Sequence, residues 1–87
     1  MLKLTYNSPH HSVYDVRAIF NYESNFANKI KLAEGMAGYE KIEKYAQDCI
    51  IAHTGFGYQA IVATDFMDKV IAMEDEAFIK WAESIAK

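Results

Sequence analysis

The sequence predicts a mainly α fold in one small domain spanning residues 1–87: three to four antiparallel helices packed as a small bundle, with a short N-terminal β-strand. Three observations predict it. Apolar residues recur at steps of three and four along 19–37, 39–53 and 58–85. Clean two-residue alternation occurs once, over 1–7. Glycines cluster at 35/38 and 55/57, between the periodic stretches, where chain reversals are needed.

In MLKLTYN, Leu2, Leu4 and Tyr6 share one face, and Lys3, Thr5 and Asn7 the other, which is a strand signal with a polar side. No second strand is evident within the chain, so this edge needs a partner, and the same strand of a second copy is the natural one. Ser8 with Pro9 behind it, or Ser12 with Asp15 three residues on, are candidate helix starts.

The stretch 12–35 reads as a helix on the stripe Ile19, Tyr22, Phe26, Ile30, Ala33 and Ala37. Asn21, Asn25 and Asn28 oppose it through poor helix propensity, and 13–22 also alternates like a strand. The stretch 39–53 is the clearest element. Tyr39, Ile42, Tyr45, Ala46, Cys49, Ile50 and His53 form one face, and the charged residues between them face water. Gly55 is the expected left-handed terminator. Beyond it, Tyr58, Ile61, Val62, Phe66, Val70, Met73, Ala77, Trp81 and Ile85 hold one register. That predicts one long helix, or two collinear ones jointed near 73–75, with Glu74, Asp75 and Glu76 favoured by the dipole at a helix start. The competing fold is α+β, with strands near 2–7, 13–22, 58–64 and 69–73.

Composition bounds the function. A chain of 87 residues buries only roughly 60–65% of its unfolded surface, so self-association into a homodimer is a natural source of further burial. Twelve aromatic residues and 52% hydrophobic residues exclude a disordered tail and suit a binding face. The net charge of −3 argues against a general nucleic-acid binder. The single cysteine, Cys49, rules out an intrachain disulfide. With no signal-peptide pattern and no apolar run of spanning length, the expected location is cytoplasmic, with no membrane partner.

Few residues could carry chemistry. His10, His11 and Asp15 are the one metal-like cluster. Adjacent histidines diverge, and a useful site needs a third or fourth ligand that the sequence does not supply. His53 on a core-facing stripe near a helix end reads as a packed or capping histidine. Cys49 and His53 share that stripe, which points the thiol away from substrate. The glycine clusters match no phosphate loop. Asp65, Asp68, Asp75 and Glu76, with Glu74, form an acidic stretch broken by Lys69 alone. On a continuous helix it would sit on one exposed flank.

The expected function is a non-catalytic protein-binding module of inhibitor or adaptor type that needs no cofactor. Asp65, Asp68, Asp75 and Glu76 would meet a basic surface on a protein partner, and Trp81 would serve as an aromatic anchor. Two other classes compete. One is a small helical nucleic-acid-binding regulator using Lys3, Arg17, Lys29 and Lys31. The other is a metal protein or enzyme built on His10, His11 and Asp15.

Overall fold

The computed structural model describes residues 2–5, 13–55 and 57–87, and of 13–15 the backbone alone. It is mainly helical. Four helices pack together: α1 (Val13–Ile30), α2 (Tyr39–His53), α3 (Tyr58–Ala72) and α4 (Asp75–Ala86), with a 3₁₀ turn at Lys31–Ala33 extending α1. Residues 13–22, 58–64 and 69–72 are helical and Met73 is the residue that ends α3, which removes the α+β alternative among the described residues. The proposed caps Ser8 and Ser12 lie outside the described residues.

On α1 the apolar stripe outweighs the asparagine penalty. Phe26 and Ile30 are fully buried, Ala33 follows on the 3₁₀ turn, and Ile19 and Tyr22 are half-buried. Asn21, Asn25 and Asn28 all face solvent, where each costs at most about 0.7 kcal/mol against alanine. The helix ends in a turn that places Gly38 at φ 81° directly against α4, and a Cβ there would lie 2.8 Å from the Ala86 carbonyl oxygen. Helix α2 then runs through the centre, burying Ile42, Ala46 and Ile50.

Gly55 does not take the left-handed role. Positive φ falls on Gly57 instead, and α2 closes at Thr54 in the right-handed region, with the Thr54 hydroxyl donating back to the Ile51 carbonyl at 3.0 Å.

The third stripe divides differently from its sequence register. Ala63, Met67 and Val70 are the buried side of α3. Tyr58, Ile61 and Val62, which begin the stripe in the sequence, stand exposed. In α4 the core residues are Phe78 and Ala82, with Trp81 and Ile85 half-buried and Ala77 exposed. The two helices are not collinear. Met73 and Glu74 are extended (ψ 141° and 156°), and α4 folds back so that the rings of Phe66 and Trp81 lie 5.4 Å apart. A continuous helix would separate residues fifteen apart by about 22 Å. Lys29 of α1 holds this corner. Its ammonium donates to the Met73 carbonyl, lies 3.4 Å from Asp75 Oδ1 and sits 5.9 Å over the Phe78 ring. A cation there satisfies an orphaned carbonyl of α3 and an acid in the first turn of α4.

Residues 2–5 form no regular secondary structure, and no strand is present among the described residues. Leu2 and Leu4 pack on the core, as the alternation predicts. The main chain is held by side chains. The Lys3 N–H donates to Gln47 Oε1 at 2.7 Å, and Gln47 Nε2 donates to the Lys3 carbonyl at 2.9 Å. One side-chain amide of α2 thus stands where a neighbouring strand would.

Candidate functional site

Two places gather the chemistry-bearing side chains. The first is polar and buried. Glu23 of α1 has 0% exposure. Its Oε1 accepts the Thr5 N–H at 2.5 Å, and its Oε2 accepts the Thr5 hydroxyl and is hydrogen-bonded to His53 Nε2. Both carboxyl oxygens of Glu23 thus have hydrogen-bond partners, which is what permits the burial of this polar side chain. The His53 side chain is 6% exposed, and the Tyr22 ring packs on it with centroids 5.6 Å apart. The Tyr22 hydroxyl donates to Asp68 Oδ1 at 2.6 Å and lies 3.1 Å from the Thr64 carbonyl oxygen. Burial, then the hydrogen bond to Asp68, then the charges of Asp68 and Asp65, push the Tyr22 phenol well above the ordinary tyrosine range. Thr5, Glu23, His53, Tyr22 and Asp68 therefore form one chain of contacts joining the N-terminal segment to α1, α2 and α3.

The Glu23–His53 pair joins α1 to α2 in the buried interior. Neither Glu23 nor His53 is among the described residues that line the two grooves described below. The expectation of a packed histidine for His53 matches its surroundings. Glu23 and Thr5 escaped sequence reasoning. The available signal was His53 itself, because an imidazole on a core stripe needs a polar partner from elsewhere in the fold.

The second place is the corner between α2 and α3. Trp81 lies at the centre of a ring cluster, with Phe66 at 5.4 Å, Phe78 at 5.6 Å and Tyr45 at 6.2 Å, while Tyr45 and Phe66 are 5.1 Å apart and edge-on. Beside it runs an open groove of about 360 Å³, lined by Tyr45, Cys49, Ala52, Tyr58, Val62 and Phe66 among others, with Asp48 its one charged lining residue. Burial, aided by the Asp48 charge, pushes the Cys49 thiol up to about 11. Three of the seven large apolar side chains exposed among the described residues line this groove: Tyr45, Tyr58 and Val62. Tyr58 is 80% exposed and Ile61 61%. A wider groove of about 670 Å³ lies between the N-terminal segment, α1 and the start of α2, lined by Leu2, Leu4, Ala27, Tyr39, Lys31 and Glu43 among others.

The sequence-predicted site residues fall on two different sides. Asp65 and Asp68 face Tyr22 of α1, and Asp75 meets Lys29 of the same helix. Tyr22 and Lys29 are two turns apart, about 10 Å, so the acids line the α1 edge, and Asp68 and Asp75 already have partners within the chain. Glu76 is exposed. Trp81 lies with the α2 rings, half-buried, and its indole is engaged in packing. Of the basic residues weighed for nucleic acid, Lys29 is committed to the α3–α4 corner. His10 and His11 lie outside the described residues, as does the Asp15 side chain; among the described residues no three His, Cys, Asp or Glu side chains come together as a metal site. No helix among the described residues is long and apolar enough to cross a membrane. No family model, curated protein or solved structure matches the chain.

Proposed function

We propose that this chain is a non-catalytic protein-binding module of inhibitor or adaptor type, and that its docking face is the apolar corner of α2 and α3. The observation that carries the reading is the exposure of Tyr58 and Val62 in the lining of an open groove that Tyr45, Cys49 and Phe66 also line. Contiguous apolar surface is costly in a small domain and marks an interaction site. Tyrosine is well suited to such a face, with a large apolar body and a polar tip at low entropic cost. The ring cluster around Trp81 stiffens the groove from behind, so little ordering is required on binding. The acidic α1 edge, with Asp65 and Glu76 facing solvent, takes the lesser role of steering a basic partner by its field.

Co-purification from the native host tests this with three baits: wild type, Val62→Glu, and a chain neutralised at Asp65, Asp68, Asp75 and Glu76 by Asn or Gln. The reading expects a bound protein that Val62→Glu loses and the neutralised chain retains with weaker salt dependence. Recovery of the same protein in the same yield on the Val62→Glu bait removes the corner as the docking face.

A further inference from the structure

The main chain of the N-terminal segment is tied to the helices by side chains. Gln47 brackets Lys3 through its N–H and its carbonyl, and Thr5 gives its N–H and its hydroxyl to the carboxyl oxygens of Glu23. Among the described residues no backbone–backbone hydrogen bond joins residues 2–5 to a helix. We infer that residues 2–5 are a strap that closes over the Glu23–His53 pair and opens as a unit while the four helices stay folded. This is independent of the docking face proposed above.

What the strap covers follows from Thr5. Its hydroxyl and His53 Nε2 meet the same oxygen of Glu23. Among the described residues, Thr5 is the part of that cluster contributed from outside the helices. With the strap in place the Glu23 side chain is 0% exposed and that of His53 6%. Leu4 and Ser24, the chain neighbours of Thr5 and Glu23, both line the wider groove of about 670 Å³. The strap is therefore a wall between that groove and the pair, and lifting it gives water a path to both side chains.

Opening the strap requires less than unfolding because of what it leaves intact. The strap supplies Leu2 and Leu4, both half-buried, and its hydrogen bonds to Gln47, Glu23 and the Ile50 carbonyl. The fully buried core, from Phe26 and Ile42 to Met67 and Phe78, is made by the helices alone. Each strap hydrogen bond is exchanged on opening for one to water, so its net contribution is small. The uncovered Glu23 and His53 regain hydration that burial denies them. Segments with few buried apolar contacts open below the global unfolding free energy. The closed state withholds a carboxyl group and an imidazole from solvent, and the open state presents them side by side.

Peptide-resolved labelling of His53 by diethyl pyrocarbonate, on the full chain across a range of urea, tests the strap. In wild type the labelling rate should rise with urea far less steeply than the global unfolding constant, because so short an opening exposes little surface. Gln47→Ala should speed labelling about fivefold and Leu4→Ala about tenfold, both with unchanged far-UV circular dichroism. Val70→Ala, which weakens the buried side of α3, should lower the urea midpoint and leave the His53 rate without urea unchanged. A His53 rate that follows the full urea slope, or that rises with Val70→Ala as it does with Leu4→Ala, overturns the inference, because the pair would then be reached only through global unfolding. A fast wild-type rate that neither Gln47→Ala nor Leu4→Ala moves overturns it too, because the pair would have a route to solvent that the strap does not close.

Discussion

Glu23 on α1 and His53 on α2 bury one another, the carboxyl Oε2 hydrogen-bonded to the imidazole Nε2 with both side chains almost wholly removed from solvent. Removing one member of such a pair strands the other. Glu23→Met and His53→Leu should each cost about 3–5 kcal/mol. Replacing both with apolar residues of similar volume, Glu23→Met with His53→Leu, should recover most of that loss. The Thr5 hydroxyl would retain the Ile50 carbonyl, 3.4 Å away, as an acceptor. Urea denaturation of the four proteins checks this, and additive losses in the double variant would show that the two groups are not coupled.

Gln47 stands in for a strand partner, and that role separates local from global stability. Gln47→Ala should raise amide exchange at Lys3 and Thr5 by freeing the segment. The global cost should stay near 1 kcal/mol, the net worth of ordinary hydrogen bonds. Native-state hydrogen exchange by mass spectrometry reads both, and an unchanged N-terminal peptide would mean that the apolar contacts of Leu2 and Leu4 suffice to hold it.

The two glycines with positive φ before α2 differ in surroundings. Gly35 at φ 94° has open space where a Cβ would go, and Gly38 has the Ala86 backbone. Gly35→Ala should therefore cost the backbone strain alone, about 1–2 kcal/mol. Gly38→Ala adds a clash between the start of α2 and the end of α4 and should cost more. Thermal melts of the two variants give the order, and equal losses would mean that α4 yields freely at its C-terminus.

Alkaline pH should destabilise the domain in a defined window. The Cys49 thiol is raised from 9.0 to about 11 by burial and by Asp48. Between those values the unfolded chain has released a proton that the folded chain retains. Stability therefore falls as pH rises from about 9 and levels off above about 11. Tyr22 and Tyr39, both raised chiefly by burial, act in the same direction from pH 10 upward. At neutral pH the thiolate fraction is roughly a hundredfold below that of a thiol at the model value, so iodoacetamide should label Cys49 slowly in the native protein and quickly in urea.

Helix α2 was legible because its apolar and charged residues separate cleanly around the helix. The first stripe was legible for the same reason, but Glu23 was not, because no local pattern marks a charged residue whose partners, Thr5 and His53, come from distant parts of the chain. The start of α3 was ambiguous on its own terms. Ala60, Ile61, Val62 and Ala63 are apolar all round, and periodicity does not choose among them; small Ala63 went inward against its neighbours and the larger side chains stayed out. The register from Phe66 to Trp81 also survives a reversal of direction, so spacing alone did not disclose the bend at Met73 and Glu74. The acidic stretch was legible as a charge run, but its in-chain partners Tyr22 and Lys29 emerge only from the packing of α1.

The account depends on the outward placement of Tyr58, Ile61 and Val62. The stability of Val62→Glu beside Val70→Glu tests that placement most directly. Val62 stands exposed and Val70 is fully buried on the same helix. The account predicts that Val62→Glu melts within about 0.5 kcal/mol of wild type at concentrations where the chain is monomeric, while Val70→Glu loses several kcal/mol or fails to fold. Comparable, severe destabilisation by both substitutions would place Val62 in the core and contradict the docking face.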